Sequence, residues 1–383
     1  MAEIAKKIHN DVTKMYAIGV TGTNGKTTIT HLIRDVFEFS QKKIALIGTN
    51  GCYLGKNPVD DDFTTSTTPE SSELWRILEN TKKQGADSFV MEVSSHALAY
   101  DRVYGIDFDV GVFSNLTQDH LDFHKTMENY LIEKEKLLKN AKALVINTQD
   151  KYGKELYRKY KDKSISVGFS DCDISAKNIQ YEFDNTKFII KDGENEYFLE
   201  IKILGEFSVL NALCAYAACK IAGIKEENII TALKNTTQVR GRCERINIDD
   251  KYSIIIDYAH SPDGLSNILK TLKYVKKKKL ITVFGCGGNR DKNKREIMGE
   301  ISGRLSDFTI ITSDNPRDEE PIKIIEDIEK GIKRVTDNYK IIPDRFLAIG
   351  YAMKIAEKDD IILLAGKGHE EYIINKGQKI HFN

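Results

Sequence analysis

The stretch 16–28, YAIGVTGTNGKTT, constrains the fold more than any other part of this chain. Apolar residues lead into a run rich in glycine and threonine, and apolar residues then recur at helical spacing over 28–39. The pattern predicts a strand, a glycine-rich turn and a helix. A turn of this kind before a helix N-terminus can bind phosphate, because main-chain amides and the helix dipole attract anions there.

Each residue type in this turn has a chemical use. Gly22 and Gly25 let the backbone amides turn inward, Lys26 can reach the β- and γ-phosphates, and the Thr27 hydroxyl can ligate Mg²⁺. Val20 stands where the usual phosphate-loop pattern has glycine, so a chance glycine-rich turn is the alternative. The residues predicted to hold the nucleotide are Gly22, Thr23, Asn24, Gly25, Lys26, Thr27 and Thr28.

Length and charge limit the kinds of partner. A chain of 383 residues is long enough for two or three domains. Its 57 basic and 57 acidic side chains cancel, which gives no electrostatic reason to expect a nucleic acid or an anionic membrane. No apolar run approaches the roughly 20 residues of a membrane span. Six scattered cysteines, with no C-x-x-C pair, favour a cytoplasmic protein.

Short apolar runs alternate with helical patterns from residue 16 onward, which predicts an α/β fold with a mostly parallel sheet. Strands are expected at 16–20, 44–48, 88–93, 109–113 and 143–147, and helices at 70–84, 126–140, 208–222 and 225–235. The segment 164–204 has β-rich runs separated by Asp-Asn and Asp-Gly turns, which predicts antiparallel hairpins.

A second alternating pattern begins near Gln238. Its strands are expected near 253–257, 280–285, 308–312 and 360–364. We therefore predict a short polar lead-in over 1–15, a central domain over 16–238 and a smaller α/β domain over 239–383. Ligands of such sheets bind where strands end, so the loops that follow strands are the candidate site.

One polar loop follows the predicted strand at 88–93. Glu92 could ligate Mg²⁺ directly or through water, although an exposed acid at a strand end is the alternative. Ser94 and Ser95 are suited to hydrogen bonding with a substrate. A hydrolase that uses them with His96 is disfavoured, because no G-x-S-x-G elbow surrounds them.

Another polar loop packs Asp119, His120, Asp122 and His124 into six positions. The two histidines could bind zinc, but the sequence lacks an H-E-x-x-H glutamate, and oxygen-rich surroundings favour Mg²⁺ near phosphate.

Further polar groups flank these two loops. The threonine-rich run 64–69, TTSTTP, can bind a polar substrate or cap the helix that follows. Lys134 is one of several lysines in its helix, and by itself it is expected to be solvated.

The second domain has five dense polar loops, at 239–244, 257–263, 285–295, 312–321 and 365–370. All but the first follow predicted strands, which indicates a ligand-binding edge. Their arginines can bind carboxylate or phosphate with two hydrogen bonds, or remain solvated. These arginines are Arg240, Arg242, Arg290, Arg295 and Arg317.

Eight segments, in this order, resemble the motifs of the Mur ligases, and among them the MurE type. The segments are GVTGTNGKTT, EVSSHAL, NLTQDHLDFH, GRCERI, DYAHSPD, FGCGGNRDKNKR, TSDNPR and AGKGHE. The resemblance implies a P-loop central domain and a Rossmann-like C-terminal domain. It also implies a ligase that uses ATP and Mg²⁺ to turn a carboxylate into an acyl phosphate, which an amine then attacks. The implied partners are small molecules: a carboxylate acceptor and an amino acid.

The resemblance also implies roles for individual residues. Catalysis would use Lys26, Glu92, His120 and Lys134, with metal held by Thr27, Glu92, His120 and Lys134. In this family the lysine at the position of Lys134 is carbamylated, so its ammonium becomes a carboxylate-like ligand. Asn211, Arg242 and Asp257 would contact the nucleotide. The muramoyl-peptide acceptor would meet Thr67, Thr68, Ser94 and Arg102, and the amino acid would meet Arg290, Asn315, Arg317, Gly366 and Glu370.

The DNPR sequence at 314–317 is typical of enzymes that use meso-diaminopimelate, with Arg317 on the distal carboxylate. Some positions depart from the family: Ser208 replaces an asparagine, Tyr100 replaces a glutamine, and only 15 residues precede the first predicted strand. We therefore expect a MurE-type ligase that lacks the N-terminal UDP-binding domain, either as a truncated form or as a related enzyme. That leaves open a ligase for another, non-UDP carboxylate acceptor and, in a different class, a non-catalytic ATP-binding regulatory protein.

Overall fold

The computed structural model describes residues 2–9, 12, 14–59, 63–65, 67–248 and 251–382. Two large sheets, each flanked by helices, are the main structural units. No helix in these ranges has the length and apolar character that a membrane crossing needs.

The first sheet has eleven strands in the order β11-β10-β9-β8-β7-β6-β1-β5-β2-β3-β4. They are β1 (Tyr16–Thr21), β2 (Ile44–Gly48), β3 (Gly51–Leu54), β4 (Asn57–Pro58), β5 (Ser88–Glu92), β6 (Val110–Phe113), β7 (Ala143–Asn147), β8 (Ser164–Gly168), β9 (Ile174–Tyr181), β10 (Thr186–Asp192) and β11 (Asn195–Ile201). Strands β2, β5, β1, β6, β7, β8 and β9 pair in parallel, so the ends of β1, β2, β5 and β6 meet at one edge.

Helices cover both faces of this sheet. They are α1 (Ala2–Ile8), α2 (Lys26–Phe39), α3 (Ser71–Lys83), α4 (Ser95–Ala99), α5 (Leu121–His124), α6 (Met127–Asn140), α7 (Lys151–Lys159), α8 (Glu206–Ile221) and α9 (Glu226–Lys234). Side chains alternate along β1: Ile18 and Val20 pack with the α2 and α8 side, and Ala17 packs with the α3 and α6 side. Both faces are thus buried, as a parallel sheet requires.

The second sheet has six strands in the order β12-β13-β17-β14-β15-β16. They are β12 (Glu244–Ile248), β13 (Tyr252–Asp257), β14 (Leu280–Phe284), β15 (Phe308–Ile311), β16 (Tyr339–Ile341) and β17 (Ile361–Ala365). The helices of this part are α10 (Pro262–Val275), α11 (Asn293–Leu305), α12 (Pro321–Ile332) and α13 (Arg345–Ile355), and a hairpin, β18 (Tyr372–Asn375) and β19 (Gln378–His381), follows.

The predicted α/β class with a large sheet and a smaller second sheet is confirmed. The hairpins predicted over 164–204 are confirmed for β9, β10 and β11, which pair antiparallel in sequence order, but the prediction was wrong for β8, which is parallel to both β7 and β9. Turn residues do not distinguish a crossover from a hairpin, which explains the error. Strands β3, β4, β12, β16, β18 and β19 were not predicted, and residues 2–8 of the polar lead-in form helix α1. The boundary near Gln238 stays a prediction.

Candidate active site

The glycine-rich loop joins β1 to α2, and two glycines in it have positive φ. Gly22 has φ +146° and Gly25 has φ +89°. A Cβ atom would lie 1.9 Å from the Ser114 hydroxyl at the first position and 2.3 Å from Asn211 Oδ1 at the second, so a side chain fits at neither. The first turn of α2 has no side-chain cap among the described residues, which leaves its amides free for an anion.

Two lysines meet behind this loop. Lys26 donates hydrogen bonds to the carbonyls of Gly22 (2.9 Å) and Thr23 (3.0 Å), and Lys134 donates to the same Gly22 carbonyl (2.7 Å). Lys134 is only 1% exposed, so its predicted solvation was wrong: the helix α6 turns this one lysine towards the sheet. Burial, together with repulsion from Lys26, holds the pKa of Lys134 well below its ordinary value. A neutral amine is the form that reacts with CO₂.

Glu92 at the end of β5 is buried rather than exposed, which excludes the exposed-acid alternative. Thr49, at the end of neighbouring β2, holds its carboxylate with two donors: the Thr49 amide lies 2.8 Å from Oε1 and the Thr49 hydroxyl 3.0 Å from Oε2. Thr49 was missed by the sequence analysis. Its place directly after a predicted strand was the available signal.

The two histidines of the NLTQDHLDFH segment do not act as a pair. His124 is bound to the Ser95 hydroxyl (2.9 Å) and stacks on Tyr130, with ring centroids 4.7 Å apart. His120 lies at the cavity instead, and burial lowers its pKa to about 3, so the ring is neutral and able to bind metal. In the described part of the chain, no three His, Cys, Asp or Glu side chains come close enough to hold a metal, which disfavours the zinc interpretation.

A cavity of about 620 Å³ lies between the two sheets. Hydrogen bonds that join the two parts of the chain beside it include those from Asn24 to Asp263 (3.1 Å), from Gln118 to Asp291 (3.2 Å) and from Arg242 to the Thr27 hydroxyl (2.9 Å). The predicted site residues that line the cavity are Thr23, Asn24, Gly25, Lys26, Thr27, Thr28, Thr67, Thr68, Glu92, Ser94, Arg102, His120, Asn211, Arg242, Asp257, Arg290, Asn315, Arg317, Gly366 and Glu370. Gly22, in the loop itself, and Lys134, which donates to the Gly22 carbonyl, are not part of the cavity lining.

The predicted acceptor residues form a connected group. Thr68 donates to the Glu92 carbonyl (2.9 Å) and accepts from the Ser94 amide (3.0 Å), while Arg102 pairs with Glu70 (2.7 Å).

The threonine-rich run does not cap the helix that follows it. The cap of α3 is Glu70, in a capping box with Glu73. Of the run itself, Ser66 lies outside the described residues.

The arginines of the second domain divide into two groups. Arg242, Arg290 and Arg317 line the cavity. Arg295 does not, because it is buried and forms ion pairs with Glu319 (2.9 Å) and Asp327 (3.1 Å).

Arg240 likewise pairs with another side chain, that of Glu371, and it is exposed. For Arg240 this favours the alternative of a solvated arginine, whereas the burial of Arg295 with two carboxylates matches neither interpretation, since loop sequence does not reveal internal partners.

The nucleotide contacts expected in the second domain are held in place by the fold. Asp257 accepts hydrogen bonds from the amides of Cys243 (2.7 Å) and Ala259 (2.8 Å), and burial raises its pKa. The guanidinium carbon of Arg242 lies 4.4 Å from the ring centroid of Tyr258. This stacking directs the arginine towards the phosphate loop.

The amino-acid end of the cavity is built from the 312–321 and 365–370 loops. Arg317 has φ +54° and donates to the Gly288 carbonyl (2.9 Å), and Asn315 donates to Glu370 (3.0 Å). Lys367 lies beneath them and was missed, because a lysine between two glycines in a polar loop carries no sign of burial.

Comparisons with known proteins identify the family. A family model described as the Mur ligase middle domain matches residues 20–219, and one described as the Mur ligase, glutamate ligase domain, matches residues 241–368. A UDP-N-acetylmuramoyl-L-alanyl-D-glutamate–2,6-diaminopimelate ligase 1 from Clostridium acetobutylicum is 47% identical over 374 residues, which cover 97% of this chain and 76% of the relative.

Solved structures are similar as well. A structure of a UDP-N-acetylmuramoyl-L-alanyl-D-glutamate–2,6-diaminopimelate ligase is 32% identical with a TM-score of 0.69, over 100% of this chain and 79% of the other. A Mycobacterium tuberculosis folylpolyglutamate synthase complexed with ADP has a TM-score of 0.80 at 15% identity, over 95% of this chain and 91% of the other, and so shows a shared fold alone.

Proposed function

This chain belongs to the Mur ligase family, and from that premise we propose that it joins meso-diaminopimelate to UDP-N-acetylmuramoyl-L-alanyl-D-glutamate. Members of the family are ATP- and Mg²⁺-dependent ligases. The observation that carries the proposal is that one cavity is lined both by the phosphate loop of the first sheet and by Arg317 and Glu370 of the second.

ATP would bind on the side of the first sheet. The free amides of the first turn of α2 and the Lys26 ammonium are suited to the β- and γ-phosphates, and Arg242 reaches the same place from the second domain. Asn211 lies against Gly25, where it would contact the base. These hydrogen-bond donors are already in position, so they would stabilise the negative charge that spreads over the phosphoryl group during its transfer.

The residues at the cavity are better suited to Mg²⁺ shared with a nucleotide than to a metal ion whose ligands all come from the protein. Magnesium usually takes one or two carboxylates together with substrate phosphates and water, and Glu92 and the Thr27 hydroxyl lie at one cavity. His120 and a carbamate on Lys134 would complete the set. When bound, the metal would neutralise phosphate charge.

The first step forms the acyl phosphate. An oxygen of the glutamate γ-carboxylate bonds to the γ-phosphorus, the bond from that phosphorus to the bridging oxygen breaks, and ADP leaves. Thr68, Ser94 and Arg102 would orient this carboxylate beside the phosphate loop. The carboxylate and ATP would then react within one complex, without a chance encounter in solution.

The second step forms the amide. The amine nitrogen, after losing its ammonium proton, bonds to the carbonyl carbon; the bond to the phosphate oxygen breaks, phosphate leaves, and the nitrogen loses a second proton. Glu370 would hold an ammonium group of the amino acid, and Arg317 would hold its distal carboxylate with two hydrogen bonds.

The test is phosphate release from ATP, measured across a panel of acceptors and amino acids. We expect release that requires both UDP-N-acetylmuramoyl-L-alanyl-D-glutamate and meso-diaminopimelate. Phosphate release with another carboxylic acid, but not with the UDP-linked one, would show that the enzyme uses a different acceptor. No release with any pair would contradict ligase activity and favour a regulatory ATP-binding protein.

A further inference from the structure

Lys367, in the loop that follows β17, is buried beneath the amino-acid end of the cavity and is 5% exposed. Its ammonium group donates three hydrogen bonds: to Asn315 Oδ1 (2.7 Å), to the Tyr372 carbonyl (2.7 Å) and to Glu370 Oε2 (3.2 Å). An ammonium group has three donors, so all of them are used inside the protein. Lys367 itself does not line the cavity, but the residues of all three partners do.

The contact with Lys367 fixes which way the Asn315 amide faces. Its oxygen accepts from Lys367 and also from the Ile374 amide (2.8 Å). Because both of those groups can only donate, the Asn315 nitrogen must face the other way, where it donates to Glu370 Oε2 (3.0 Å). Lys367 therefore sets both the orientation of one cavity side chain and the position of the other.

Lys367 also balances buried negative charge. Asp314 Oδ1 lies 3.6 Å from its ammonium nitrogen, and Asp314 Oδ2 lies 3.8 Å from Arg345. Asp314, Glu370, Lys367 and Arg345 form a group of two acids and two bases, of which Arg345 is bound to the Ala365 carbonyl (2.6 Å). Loss of the lysine charge would leave the acids in excess next to the ligand, where a low dielectric makes charge effects large.

We propose that Lys367 is a positioning residue that favours an amino acid with a second carboxylate over one that lacks it. This inference rests on the proposed function. Excess negative charge below the cavity would disfavour a carboxylate near Arg317 and would tolerate an ammonium group. Diaminopimelate carries two carboxylates and two ammonium groups, whereas lysine carries one carboxylate and two ammonium groups. The charge on Lys367 should therefore shift selection towards the diacid.

The experiment compares Lys367→Met with the unaltered enzyme in the phosphate-release assay. We expect the KM for meso-diaminopimelate to rise about 10- to 100-fold, in line with the loss of hydrogen bonds to a charged group, while the KM for ATP changes less than about twofold. The ratio of kcat/KM for diaminopimelate to that for lysine should fall. Lys367→Arg, which keeps the charge, should restore most of that ratio.

Two controls separate positioning from stability. Ser302→Ala removes a fully buried hydroxyl that lies 2.8 Å from the Thr309 hydroxyl in the same part of the chain; it should lower the melting temperature without changing the KM for diaminopimelate. If Lys367→Met does not fold, Lys367→Gln, which keeps hydrogen-bond donors but removes the charge, should show the same fall in the ratio.

The outcomes can be told apart. An unaltered enzyme that shows no diaminopimelate-dependent release would overturn the proposed function. An active enzyme whose charge-removing variants keep both the KM for diaminopimelate and the selection ratio would overturn the role of Lys367. A KM that rises equally for ATP and for diaminopimelate would also overturn it, since positioning of one pocket cannot produce that result.

Discussion

Lysine and arginine side chains have different partners on the two sides of the cavity. On the side of the first sheet, Lys26 and Lys134 donate to main-chain carbonyls, and neither forms an ion pair with another described residue. Desolvation lowers the pKa of both amines. On the side of the second sheet, Lys367 and Arg345 lie among carboxylates.

This difference shows two ways of preparing a site. Cations without internal partners are destabilised by burial, so they gain most when an anion such as a triphosphate arrives. Cations that are already paired give little additional charge, but they fix the shape of a pocket. The first side is thus suited to binding by charge and the second to selection by geometry.

The largest expected effect on activity comes from Lys134, whose buried ammonium group forms no ion pair with another described residue. Lys134→Ala should lower turnover by about 100-fold or more, since even the loss of a group that only supports a metal ligand costs about 10- to 100-fold. If Lys134 acts as a carbamate, added formate or acetate should restore part of the activity. The measurement is phosphate release with and without the added acid.

The matched control is Lys139→Ala in the same helix, where the lysine is half exposed and lies 3.7 Å from Glu135. It should keep its activity. Full activity in Lys134→Ala would refute the carbamate hypothesis.

A smaller effect is expected on the second side. Arg317→Ala removes a guanidinium that lines the cavity, and the KM for diaminopimelate should rise about 10- to 100-fold while the KM for ATP changes little. Steady-state kinetics with each substrate varied in turn measures both. Arg334→Ala, at an exposed pair with Glu296, serves as the control. An equal loss in both apparent affinities would argue against the pocket assignment.

The smallest effect should come from Arg240, whose exposed pair with Glu371 lies outside the cavity lining. Arg240→Ala should change kcat/KM by less than about twofold, because exposed ion pairs contribute little. The same assay tests this, with ATP as the varied substrate. A large rise in the KM for ATP would show that Arg240 contacts the nucleotide and would favour the anion-binding alternative for this arginine.

Much of the fold could be predicted, because its signals are local. The strand, glycine turn and helix at 16–39 rest on neighbouring residues, and the helix begins only two positions before its predicted start. The hairpin interpretation of 164–204 failed at β8, because strand direction depends on the partner strand and not on the turn that follows. Glycine, lysine and threonine in one short segment indicated phosphate without any knowledge of the sheet.

The sequence by itself determined the α/β class, the phosphate loop and the family to which its motifs belong. Only the tertiary structure decided which charged side chains are buried and with what partners. Lys134 and Gly22 are 112 positions apart, and Lys367 and Asn315 are 52 apart. Solvation and pairing depend on groups that the fold brings together from such distances, and these contacts bury Lys134 among main-chain carbonyls and Lys367 among carboxylates.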